Sequence, residues 1–117
     1  MSHRLQNYLR THRKRSGLSQ DELAFLLGCQ SGTKVSRYER GTRQPTLQTV
    51  LMYEVVFGMG ARELFAGMFD QVERRTLKRV QLLTQRLGRI EADRMTDRKL
   101  ALLRAVASGA GTESANR

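Results

Sequence analysis

Residues 19–40, SQDELAFLLGCQSGTKVSRYER, constrain this chain more than any other stretch. Ser19 three positions ahead of Glu22 is a capping box, in which hydroxyl and carboxylate each take one of the free amides at a helix start. The helix so begun carries Leu23, Ala24, Leu26 and Leu27 and stops at Gly28, a residue suited to the left-handed position after a helix. After a few small polar residues comes a second short helix, with Val35, Tyr38 and Glu39 at one-face spacing. Its other face carries Thr33, Ser36, Arg37 and Arg40, which offer hydrogen bonds and positive charge.

A chain of 117 residues has room for one domain, or for a small domain and an appendage. Its 21 Lys and Arg against 11 Asp and Glu leave a net charge of +10, which points to a polyanion partner, most often nucleic acid. Two short helices across a tight turn, the second cationic outward, form the arrangement that seats a helix in the major groove of DNA. No apolar run approaches the roughly 18–20 residues that span a bilayer, and the polar opening MSHRLQN is not expected to be a secretory leader. A single cysteine, Cys29, fits a reducing cytoplasm. With no tryptophan and 6% aromatic residues, the packing is expected to be aliphatic.

In chain order, residues 3–15 read as a first helix, with Leu5, Tyr8 and Leu9 as its apolar stripe and its cations gathered in the last turn, where the helix dipole favours them. Pro45 and its neighbours make a loop after the second motif helix. Thr46 then caps a long helix whose apolar face is expected to be Leu47, Val50, Leu51, Val55 and Val56. Gly58 and Gly60 break it, and residues 61–65 form one more short helix. No stretch has the alternation of a strand, so the expected class is all-α: a five-helix domain over residues 1–66 and a helical extension over residues 67–108.

In that extension Val80, Leu83, Leu87 and Ile90 recur at helical spacing and are read as one seam, a dimer interface. Thr96 is expected to cap the last helix, bearing Leu100, Leu103 and Val106 and ending at Ser108-Gly109, with residues 109–117 a disordered tail. Two such helices have little core alone, so their stripes need the first domain or another chain. Charge is even: 10 Lys and Arg against 5 Asp and Glu in residues 1–66, and 11 against 6 in the remainder.

Residues 17–24 (GLSQDELA), Leu27-Gly28, residues 35–41 (VSRYERG) and Pro45-Thr-Leu together resemble the phage lambda repressor/Cro-type helix-turn-helix family, over about residues 5–65. The resemblance implies a five-helix domain that binds double-stranded DNA, usually as a dimer, and regulates transcription. It implies that Gln20 contacts phosphate and supports the recognition helix, that Ala24 sits where the helices cross, and that Gly28 makes the turn. Cys29 stands where the family usually has valine and is read as a small buried hydrophobe. Val35 matches the buried aliphatic residue of the recognition helix, and Glu39 the acid that pairs with a helix-1 arginine, here Arg13. Six residues separate Gly28 from Val35 where the family has five, so the turn is longer or the recognition helix starts one residue out of phase.

On that framework Arg37 is read as the base contact, since a guanidinium takes guanine bidentately with about 1–3 kcal/mol of discrimination. Arg40 and the loop Arg43 are read as phosphate contacts. Ser31, Thr33, Lys34 and Ser36 complete the expected DNA-binding set, and Tyr38 is assigned to the core. The leading expectation is a sequence-specific regulator bound as a homodimer to a two-fold operator. An antitoxin-type protein whose C-terminal helices bind a partner toxin is the alternative, and an RNA-linked helical protein a third reading. No paired acid and base or nucleotide loop suggests an enzyme. His3 and His12 lack ligands at metal-binding spacing, so neither metal nor cofactor is expected.

Overall fold

The computed structural model describes residues 5–112. In chain order the elements are α1 (Leu9–Ser16), α2 (Gln20–Leu26), α3 (Gly32–Arg40), α4 (Leu47–Phe57), α5 (Ala61–Leu64), α6 (Ala66–Leu87) and α7 (Arg94–Thr112), with no strand among the described residues. The chain divides into two units, Met1–Phe69 and Asp70–Arg117, and the division falls inside α6. Of the expected tail, residues 113–117 lie outside the described residues.

In the first unit Leu9, Leu23, Ala24, Leu27, Val35, Tyr38, Tyr53, Leu64 and Phe65 close one buried core. Its centre is aromatic, against the aliphatic expectation. The Tyr53 ring lies 6.0 Å from Phe57, 6.4 Å edge-on from Tyr38 and 6.4 Å edge-on from Phe65, separations at which aromatic quadrupoles attract. A low average concealed a concentration: all three tyrosines and four phenylalanines occur at or before Phe69.

The first helix starts later than the pattern suggested, at Leu9. Residues 5–8 instead bind the α5–α6 corner: the Tyr8 amide donates to Leu64 O at 2.7 Å, while Leu5 O and Gln6 O accept from Gly67 and Met68 at 2.9 and 3.1 Å. Those two carbonyls satisfy free amides of the first turn of α6. The facing of α4 also differs from expectation. Tyr53 is fully buried and Val50, Met52, Val56 and Phe57 pack beside it, but Leu47, Leu51 and Val55 are 74%, 49% and 83% exposed. A helix apolar nearly all round has no periodicity to orient it, and the bulk of Tyr53 and Phe57 decides.

In the second unit α6 ends at Leu87 and α7 starts at Arg94, giving a helical hairpin in which Leu87, Leu103 and Thr96 are buried. Thr96 does not cap α7. The Asp93 carboxylate accepts the Thr96 amide at 2.7 Å, so the cap stands three residues earlier and Thr96 occupies the third helical position. That hydrogen bond holds the Asp93 carboxyl below its ordinary 3.8. α7 also runs past Ser108-Gly109 to Thr112, because one glycine costs a helix only about 1 kcal/mol and does not stop it.

Candidate nucleic-acid interface

The site is built from the N-terminal ends of α2 and α3. Ser19 Oγ accepts the Glu22 amide at 3.0 Å and Glu22 Oε1 accepts the Ser19 amide at 2.8 Å, closing the capping box. After α2 the backbone turns at Gly28, whose φ of 72° is the left-handed value open to glycine. The Cys29 amide then closes back on Ala24 O at 2.8 Å. Ahead of α3 Ser31 caps the helix, Gly32 begins it, and Val35 is fully buried.

Gly32 is the tightest point of the junction. Its amide donates to Asp21 Oδ1 at 2.7 Å, so a side chain of α2 supplies a cap for α3. A Cβ there would lie 2.7 Å from that oxygen and 2.9 Å from Gln20 Cβ, which leaves room only for glycine.

The buried face of α3 is then fixed by charge. Arg13 donates from Nε to Glu39 Oε2 at 2.6 Å, from Nη2 to Oε1 at 3.2 Å, and from Nη1 to Leu18 O at 3.0 Å. Gln20 Nε2 adds a third hydrogen bond to Glu39, at 3.2 Å. The two ionic side chains are 10% and 3% exposed, and the hydrogen bond to Glu39 raises the Arg13 pKa against the opposing effect of burial. Asn7 Nδ2 donates to Tyr38 O at 3.0 Å, tying the last turn of α3 to the segment before α1.

Opposite this anchored face, Thr33, Lys34, Arg37 and Arg40 are exposed and Ser36 is half-buried. Among the described residues no carboxylate lies within ion-pair distance of Lys34, Arg37, Arg40 or Arg43. Arg40 Nε donates to Ser36 O at 3.3 Å. Arg43 is exposed in the loop, which is held to α3 by Thr42 and Arg43 amides on Arg37 O at 3.0 and 3.4 Å. The Ser31 hydroxyl is engaged by the Thr33 amide at 3.4 Å, and Gln20 by Glu39, so both shape the surface as well as line it. Arg10 was not singled out from sequence, yet it lines one concavity with Gln20, Ser36 and Arg40. Its signal was its place one helical turn before Arg13.

The four seam residues of the extension do not share one helix. Leu87 is buried within the hairpin, Val80 is half-buried, Leu83 is 43% exposed, and Ile90 lies beyond the end of α6 at 57% exposure. Spacing alone carried the periodicity across Gly88, where the helix stops. Among the described residues no group of three or more His, Cys, Asp or Glu is placed to hold a metal ion, and no helix is long and apolar enough to cross a membrane.

Neither the comparison with curated proteins nor that with solved structures gives a match. The family model described as a helix-turn-helix domain matches residues 4–64, the stretch that contains α1 to α5 and every residue of the anchored junction. The chain therefore belongs to this helix-turn-helix family.

Proposed function

We propose that the chain is a sequence-specific DNA-binding transcriptional regulator that acts as a homodimer on a two-fold operator. The observation that carries this reading is α3 itself. One face is pinned by Glu39, Arg13 and Gln20, and the other presents Lys34, Arg37 and Arg40 with Arg43 beside them. Phosphate contacts from Arg40 and Arg43 supply affinity and register, and Arg37 reads a base edge in the major groove. Bound protein then controls access of polymerase by occupancy.

Self-association is supported by α4. Over Leu47–Phe57 its single charged side chain is Glu54, and that carboxylate accepts the Ala61 amide at 2.7 Å. On a chain of net charge +10, this helix offers a second copy an approach without like charges. Leu51 lies midway between Leu47 and Val55, so antiparallel packing sets Leu51 on the axis and Leu47 against Val55 of the second copy. The C-terminal seam offers less, since Leu87 is already enclosed and Ile90 is off the helix. Dimers of helix-turn-helix domains present their two recognition helices to successive major grooves, about 34 Å apart.

Selection of bound fragments from random duplex DNA tests the proposal. A palindromic consensus with half-sites one helical turn apart supports it, and recovery of no consensus, or of an asymmetric one, contradicts it. Leu51→Asp separates the parts: it should leave a monomer by light scattering and weaken operator binding without removing half-site preference.

A further inference from the structure

The C-terminal hairpin carries a groove that the DNA reading does not use. Its floor is apolar, formed by Leu77 and Val80 of α6 and Leu103 of α7, and its rims carry Arg74 and Lys78 on one side and Arg104 on the other. Among the described residues no carboxylate lines it. Along α6 the lining runs from Arg74 to Gln85, about 16 Å of helix and three turns. The seven lining positions of α6, 74, 77, 78, 80, 81, 84 and 85, fall on one broad helix face and are linked by three- and four-residue steps.

We infer that this groove is the docking site for an acidic amphipathic helix of a partner protein. An apolar trough between two helices completes its packing with a third, which inserts anchors at every third or fourth residue. The trough is open along its length, whereas small-molecule pockets enclose most of their ligand. DNA phosphates have no use for an apolar floor. Charge then chooses among helices: Arg74, Lys78 and Arg104 attract Asp and Glu flanking the anchors. A second copy of this chain is disfavoured, because α6 itself carries Arg74, Arg75, Lys78, Arg79 and Arg86 against Asp70 and Glu73. The inference stands independently of DNA binding, since none of its residues belongs to the first unit.

Fluorescence anisotropy of the full chain with labelled helical peptides of about 18 residues tests it. One peptide has leucine anchors at three- and four-residue steps with glutamate flanks, the second has lysine flanks, and the third is a scramble of the first. The glutamate peptide should bind at least about tenfold more tightly than either of the others. Lys78→Glu with Arg104→Glu, both at exposed positions, should reverse the preference between glutamate and lysine peptides. Ala107→Trp, filling the groove from its exposed edge, should abolish binding while far-UV circular dichroism stays unchanged. Equal binding of the scramble, or insensitivity to both variants, would reduce the effect to attraction between polyions and overturn the inference. So would a change of oligomeric state in the charge-reversed protein, which would place a second copy in the groove. A loss of duplex DNA affinity in that variant would assign these cations to phosphate instead, again overturning it.

Discussion

The two units of this chain use different chemistry to hold helices together. In residues up to Phe69, rings surround Tyr53, a buried ion pair ties α1 to α3, and backbone carbonyls of residues 5 and 6 satisfy the start of α6. Beyond Phe69 there is no aromatic residue, and the hairpin buries Leu87, Leu103 and Thr96 while Leu82, Leu83, Met95 and Leu102 remain exposed. A recognition helix must keep one orientation against a rigid duplex, and that demands a closed core with its polar groups satisfied. A surface that takes its last helix from elsewhere has no such demand. The difference is one of completion, and substitutions can test it.

The largest effect should come from Glu39→Ala. It leaves the Arg13 guanidinium buried without its carboxylate, a loss of about 3–5 kcal/mol. Thermal melting should show a marked fall in the melting temperature. An unchanged melting temperature would mean that the pair does not hold α3. Gly32→Ala comes next, at about 1–3 kcal/mol, because the added methyl presses on the Gln20 backbone and cannot be accommodated by a side-chain rotation alone.

These residues also mark what could be read in advance. The Ser19–Glu22 box is local, and four residues of sequence contain all of it. The all-α class and the amphipathic α3 were equally legible, since Val35 and Tyr38 repeat at helical spacing. Gly32 was not, because its constraint comes from Gln20 and Asp21 across the turn. The late start of α1 depends on Leu64, far along the chain, and no local pattern encodes it. The exposed side of α4 was hidden for the opposite reason: an excess of apolar residues offered several equally good faces. Asp93 and Thr96 both cap well by type, and only the backbone path shows which one turns the chain.

Smaller effects sharpen the comparison. Among the described residues the Tyr53 hydroxyl has no hydrogen-bond partner, and burial, with the Glu39 charge adding, pushes its pKa far above the ordinary 10.0. Tyr53→Phe should therefore raise the stability of the first unit, by about 1 kcal/mol, measured by urea unfolding. Loss of stability instead would mean that the hydroxyl is satisfied in solution. In the second unit the pH response should come from Asp93. Its folded pKa is depressed, so its contribution is complete above the unfolded value of 3.8 and is lost as pH falls through the lower, folded one. Helicity of α7 should decline across that acid range, and Asp93→Asn, which still caps, should flatten the response. A decline of equal size in Asp93→Asn would assign it to other carboxylates.

If α3 reads DNA sequence, Arg37 on its exposed face and Arg43 in the following loop must play different parts. The direct measurement is the base preference of the two alanine variants across a library of operator mutants, repeated over a salt series. Arg37→Ala should relax preference at one position of each half-site, a change of about 1–3 kcal/mol there. Arg43→Ala should weaken all sequences alike and lower the salt slope by about one. Should Arg37→Ala also produce only a uniform, salt-dependent loss, Arg37 holds phosphate and α3 does not read sequence through it.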